Sequence, residues 1–122
     1  MTKQKNGFTI VELLLVVIVI GILAAIAIPR FADTKEKAYV AQMKSDLRNL
    51  ATYEEQYAGD NGGQYFSGTA TMAAPLNGFH ASQNVTIIVA SAPGPPPSWS
   101  AVATHSVSAK MCTFIAGLIV CS

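Results

Sequence analysis

The chain has 122 residues, 51% hydrophobic and only 12% charged, with a formal net charge of +1 at pH 7. That is room for one small domain beside any long helix, and the near-neutral balance leaves no basic footprint for nucleic acid. Its two cysteines have no nearby histidines, which excludes a zinc site.

Residues 1–7 are a short polar leader that carries Lys3 and Lys5 and ends in Gly7. Gly7-Phe8-Thr9-Ile10-Val11-Glu12 follows, and then an unbroken apolar run over residues 13–28. Residues 8–28 extend roughly 31 Å as a helix, close to a hydrocarbon core of roughly 30 Å, so this segment is predicted to cross a membrane. The two leader lysines hold the N-terminal side in the cytoplasm and send the rest of the chain outward. Glu12 is a single carboxylate inside this segment. A charge there costs roughly 2.5 to 3.5 kcal/mol, so it marks a functional site that needs a partner. A secretory signal peptide is the rival reading, since Ala25-Ile26-Ala27 forms a small-x-small cleavage site.

The downstream sequence continues as helix. Gly21 and Pro29 are the expected kink positions, Pro29 because it lacks an N–H and clashes with the preceding turn. Beyond it Tyr39/Val40, Met43, Leu47, Leu50, Tyr53 and Tyr57 recur at three- and four-residue steps, while Lys35, Glu36, Lys44, Asp46, Arg48 and Glu55 are expected on the surface. Gly59-Asp60-Asn61-Gly62-Gly63 then stops the helix. The expectation is one helix from Phe8 to about Ala58, roughly 75 Å long, apolar all round over residues 8–28 and amphipathic over residues 29–60.

Residues 61–122 contain Lys110 as their only Lys, Arg, Asp or Glu, amid many Ser and Thr. A surface so poor in charge suits a domain packed against copies of itself, or one masked by glycans. Residues 84–90, 98–104, 111–115 and 118–122 are strand candidates. The Pro93-Gly94-Pro95-Pro96-Pro97 segment must be loop. The expected fold is α+β: a small antiparallel sheet of three or four strands laid on the amphipathic half of the helix. If Ala116-Gly117 is a two-residue turn, Ile115 pairs with Leu118 and Cys112 with Cys121. Counting from the turn makes the cysteine pair non-hydrogen-bonded, the closer type of site, within disulfide reach. Two buried free thiols are the alternative. Export to an oxidising compartment favours the bond, and closing the loop would contribute somewhat under about 3 kcal/mol.

The leader with its Gly7-Phe8 junction, the run Phe-Thr-Ile-Val-Glu-Leu-Leu, and Gly-Ile-Leu-Ala-Ala-Ile-Ala-Ile-Pro-Arg-Phe over residues 21–31 resemble a type IV pilin, with the short leader of the type IVa branch. The resemblance covers about the first 60 residues. It implies that a prepilin peptidase cuts between Gly7 and Phe8 and that Phe8 becomes the N-methylated terminus. Taking Lys3 and Lys5 from the eight basic residues leaves six against seven acidic ones in the mature chain. Cleavage would create an ammonium at Phe8, and Glu12, one turn on, could neutralise its own amine or a neighbour's and so set axial register in a packed filament. An intramolecular pair or a protonated carboxyl in lipid are the plainer readings. The resemblance also supports the Cys112–Cys121 bond.

The other candidates are weak. His80 and His105 have no clustered partners, and no nucleophile elbow, phosphate-binding glycine loop or HExxH motif is present, so neither catalytic residues nor cofactors are expected. Asn84-Val85-Thr86 is a chance-level sequon. Tyr39, Tyr53, Tyr57, Tyr65 and Trp99 are expected to serve packing. The leading function is a structural subunit of a type IV pilus, a helical homopolymer used for adhesion, surface motility or DNA uptake. Its partners are then the prepilin peptidase, the pilus assembly machinery and, before assembly, the bacterial inner membrane. A type II secretion pseudopilin or minor pilin is the first alternative, and a signal-peptidase-processed secreted binding module the second. No carboxylate side chain follows Asp60, so the acidic calcium loop typical of major pseudopilins is missing, which favours a pilin.

Overall fold

The computed structural model describes residue 2 and residues 6–122; Lys3 and Lys5, on which the expected membrane orientation rests, lie outside the described residues. The chain divides into two compact units, Met1–Lys35 and Glu36–Ser122.

Helix α1 (Ile10–Asp60) contributes its residues up to Lys35 to the first unit. Its aliphatic side chains there meet no protein core: Leu13, Val16, Ile20, Leu23 and Ile28 are all exposed. Helical conformation runs unbroken through Gly21 and Pro29, so the turn at Pro29 is helical and not melted. Proline still withdraws one donor there, leaving the carbonyl of Ala25, four residues back, without its ladder partner. The helix is long and apolar enough near its N-terminus to cross a membrane.

From Glu36 onward α1 belongs to the second unit and becomes one-sided. Met43, Leu47 and Leu50 are fully buried, at the three- and four-residue steps the sequence predicts. The helix ends at Asp60, two residues beyond the expected stop. There the N–H of Asn61 donates to the Tyr57 carbonyl at 2.9 Å and that of Gly63 to the Ala58 carbonyl at 2.8 Å. Gly62 and Gly63 take positive φ, 66° and 83°, which lets the chain reverse without a Cβ clash.

Five antiparallel strands follow as a meander in sequence order: β1 (Gly68–Ala70), β2 (Val85–Ala92), β3 (Ser98–His105), β4 (Met111–Ile115) and β5 (Leu118–Cys121). The expected three or four strands become five because β1 forms within residues 64–80. It is three residues long, too short to show an alternating pattern. Gly68 opens it at φ 151°, where an added Cβ would lie 2.8 Å from Leu76 Cδ1. Alternation is clear on the longer strands. Val85, Ile87 and Val89 of β2 and Ala101 and Ala103 of β3 point inward and bury against Met43, Leu47 and Leu50. Burying each of the larger of these side chains contributes roughly 1.5 to 3 kcal/mol.

The terminal hairpin has the predicted register. Ile115 pairs with Leu118 and Cys112 with Cys121 around Ala116 and Gly117, both at positive φ as a type I′ turn requires. Met111 and Ser122 exchange both backbone hydrogen bonds at 3.0 Å. The adjacent cysteine pair is therefore the non-hydrogen-bonded kind, with a Cα separation of 4.1 Å, and the two sulfurs are bonded.

Candidate functional site

The start of α1 is organised by two side chains. Thr9 immediately precedes the first helical residue, Ile10. Its Oγ1 accepts from the Glu12 N–H at 3.2 Å, while Glu12 Oε2 accepts from both the Thr9 N–H and the Thr9 hydroxyl at 2.9 Å. This is a capping box, in which two donors left free at a helix start are satisfied reciprocally. The Thr-x-x-Glu spacing that forms it stands in the sequence, but the predicted partner of Glu12 is the Phe8 amine. In the uncut chain Phe8 is bonded to Gly7 and has no ammonium to offer. Thr9 holds the carboxylate instead, beside the junction that cleavage would expose.

Around this box the surface is apolar and open. Phe8 is 91% exposed and Ile10 and Val11 are exposed beside it. Nothing lies within 4 Å of where a Cβ on Gly7 would sit, nor of one on Gly21. A requirement for glycine at residue 7 would therefore come from a processing enzyme and not from the fold of the precursor. The arrangement offers a carboxylate held at the helix start and a long apolar helical surface with no partner among the described residues of this chain. It can pack against lipid or other helices.

The second unit holds its polar groups differently. Asp46, expected on the surface, is buried: its two oxygens accept from the Ser82 N–H at 2.9 Å and the Ser82 hydroxyl at 2.8 Å, anchoring residues 71–84 to α1. Glu36 accepts from the Ser108 hydroxyl, and Tyr39 stacks on the buried His105 with ring centroids 4.2 Å apart. His105 Nδ1 accepts from the Val107 N–H at 3.2 Å, which occupies it structurally. His80 is exposed, with Nδ1 3.2 Å from the Met72 carbonyl oxygen. The tyrosines and the tryptophan pack as expected: Tyr53 on Phe79, Tyr57 on Phe66, Tyr65 tilted against Trp99, and Trp99 stacked on Phe114. A shallow cleft of about 710 Å³ lies over Trp99 and Phe114, bounded by Glu55 and Tyr65. It presents no paired nucleophile and base, and no group of metal-binding side chains occurs among the described residues.

A long helix that starts three residues after Gly7, apolar over its first half and covered by a small disulfide-closed antiparallel sheet over its second, defines an α+β class of helix-and-sheet subunits. Residues 2–28 match the family described as the prokaryotic N-terminal methylation motif. The chain is 30% identical over 104 residues to the type IV wide pilus major component PilA4 of Thermus thermophilus, covering 85% of this chain and 76% of that one. It is 45% identical over 53 residues to a fimbrial protein of Pseudomonas aeruginosa, covering 43% of this chain and 34% of that one. It is 36% identical over 59 residues to the type II secretion system core protein G of the same species, covering 48% and 42%. The chain thus spans less than half the length of these last two relatives. No solved structure matches it. The chain belongs to the type IV pilin family, whose members are structural subunits and not enzymes.

Proposed function

We propose that this protein is a structural subunit of a type IV pilus, a helical homopolymer assembled through the apolar half of α1 and serving adhesion, surface motility or DNA uptake. The observation that carries the reading is the similarity to a major pilus component over 85% of the chain, a match too long to be confined to α1. The charge-poor residues 61–122 support it, since such a surface suits contact with copies of itself. Residues 1–7 would be the leader, residues 8–28 the membrane span and later the filament core, residues 29–60 the amphipathic half, and residues 61–122 the exported sheet domain. Cleavage by a prepilin peptidase after Gly7, with methylation at Phe8, would precede extraction from the inner membrane by the assembly machinery and incorporation in a surface filament. Gly21 and Pro29 are where the helix would bend to pack.

Glu12 would change partners in this sequence. A helix cap contributes about 1 kcal/mol, whereas leaving one member of a buried ion pair alone costs roughly 3 to 5 kcal/mol. Once the Phe8 ammonium exists and neighbouring helices exclude water, pairing with an amine therefore outweighs pairing with Thr9. The apolar faces of residues 13–28 pack nearly as well after a slide of one turn; the ion pair does not, and so it would set the axial register.

Replacing Glu12 by Val should leave membrane insertion and leader cleavage intact and abolish filaments, while Thr9→Val, which removes only the cap, should reduce their number slightly. Electron microscopy of sheared surface material checks both. Wild-type numbers of Glu12→Val filaments with unchanged helical symmetry would refute the register role. The second reading, a type II secretion pseudopilin, rests on the similarity to core protein G over 59 residues, 48% of the chain. The absence of any carboxylate side chain after Asp60 weighs against it.

A further inference from the structure

Two carboxylates are buried on the inward side of α1, and they are solvated very differently. Asp46 has a partner on each oxygen. Glu54 is fully buried; its Oε2 accepts from the Phe66 N–H at 3.1 Å, and its Oε1 has no partner at all. An ionised carboxylate out of water needs several donors, and one is not enough. A neutral carboxyl in the same place loses far less hydration.

Among the described residues nothing around Glu54 supplies a compensating cation. On its own helix, Glu55 is a second negative charge, Arg48 is exposed, and Tyr53 and Tyr57 pack on Phe79 and Phe66. The turn over residues 61–67 brings Tyr65, whose hydroxyl donates to Glu55 at 3.3 Å. The five strands carry no Lys, Arg, Asp or Glu. Their one histidine, His105, stacks on Tyr39, about 22 Å back along the helix. His80 and Lys110 are exposed on loops.

We propose that Glu54 takes up a proton when the C-terminal unit folds, so that the Glu54–Phe66 contact is a proton-operated latch holding the turn after α1 against the helix. Phe66 itself is buried and packs edge-on to Tyr57, so the contact joins that turn to the core. Desolvation, opposed by the Phe66 N–H and reinforced by Glu55, pushes the Glu54 carboxyl from an ordinary 4.5 up to about 7. The sign follows from proton counting. Below pH 4.5 the group is neutral in both folded and unfolded chains, and burial carries no charge penalty. Between 4.5 and 7 the unfolded chain gives up the proton and the folded one keeps it, so stability falls as pH rises. Above about 7 the penalty is complete and constant. The folding equilibrium should then be weaker on the order of 100-fold than at pH 4.5 from this group alone.

The test uses the full chain in detergent micelles, unfolded with denaturant and followed by the fluorescence of Trp99, its only tryptophan. Glu54→Gln keeps an oxygen for the Phe66 N–H and places an uncharged amide where the orphan oxygen sits. It should abolish the decline between pH 4.5 and 7 and exceed the wild type in stability above pH 7. Asp46→Asn, by contrast, should weaken the domain without removing that decline. Carboxyl carbon-13 titration of the folded wild type needs no variant to fold and should place the Glu54 midpoint near 7. A midpoint at or below 4.5, or a Glu54→Gln profile parallel to the wild type across this range, would overturn the proposal.

Discussion

The two halves of α1 face opposite problems with similar material. In the first unit the aliphatic residues are exposed on every side, and the polar groups that matter, Thr9 and Glu12, satisfy each other at the helix start. In the second unit the exposure is one-sided. Met43, Leu47 and Leu50 are buried against a sheet, and Asp46 is tied to Ser82 across 36 residues of sequence. The second half has its partners within the chain. The first half has none among the described residues, and its apolar surface is left exposed. In the proposed function one helix carries both a folding instruction and an assembly instruction, separated along its length.

Paired truncations sharpen this contrast most. Leu47→Ala removes a fully buried side chain and should destabilise the C-terminal unit by about 2 to 5 kcal/mol in denaturant titrations followed by Trp99. Leu15→Ala, on the exposed apolar surface, should leave that transition within about 0.5 kcal/mol of wild type. Equal losses from the two would break the separation. The disulfide gives a smaller effect of the same kind. Reducing Cys112–Cys121, a loop closed by residues nine apart, should cost somewhat under about 3 kcal/mol, all of it in the C-terminal unit. Non-reducing peptide mapping should find the two cysteines linked. Recovery of both as free thiols would remove the staple from the account.

How legible each part was follows from how local its cause is. The hairpin register could be counted outward from Ala116 and Gly117, because a two-residue turn and two cysteines leave no slack. The burial of Met43, Leu47 and Leu50 was visible as a period. Strand β1 was not: three residues opened by glycine carry no alternation, and they form a strand only because β2 offers them an edge. The Thr9–Glu12 capping box stood in the sequence as Thr-x-x-Glu just before the apolar run. Asp46 and Glu54 needed the fold. Glu54 falls on the stripe that runs through Leu47, Leu50 and Ala58, a carboxylate at an apolar position, and that mismatch was the available signal. Asp46 is buried only because a loop 36 residues away supplies Ser82, which no local pattern announces.

In the proposed function the apolar half of α1 is kept and used for assembly after the leader is removed. The most direct measurement is the intact mass and N-terminal sequence of the protein recovered from sheared surface filaments. The recovered chain should begin at N-methylated Phe8, and a Gly7→Leu variant should be left uncut in the inner membrane. A chain beginning at Ile28, the residue that a signal peptidase would leave after Ala25-Ile26-Ala27, would mean that the apolar segment is discarded and would rule out assembly through it.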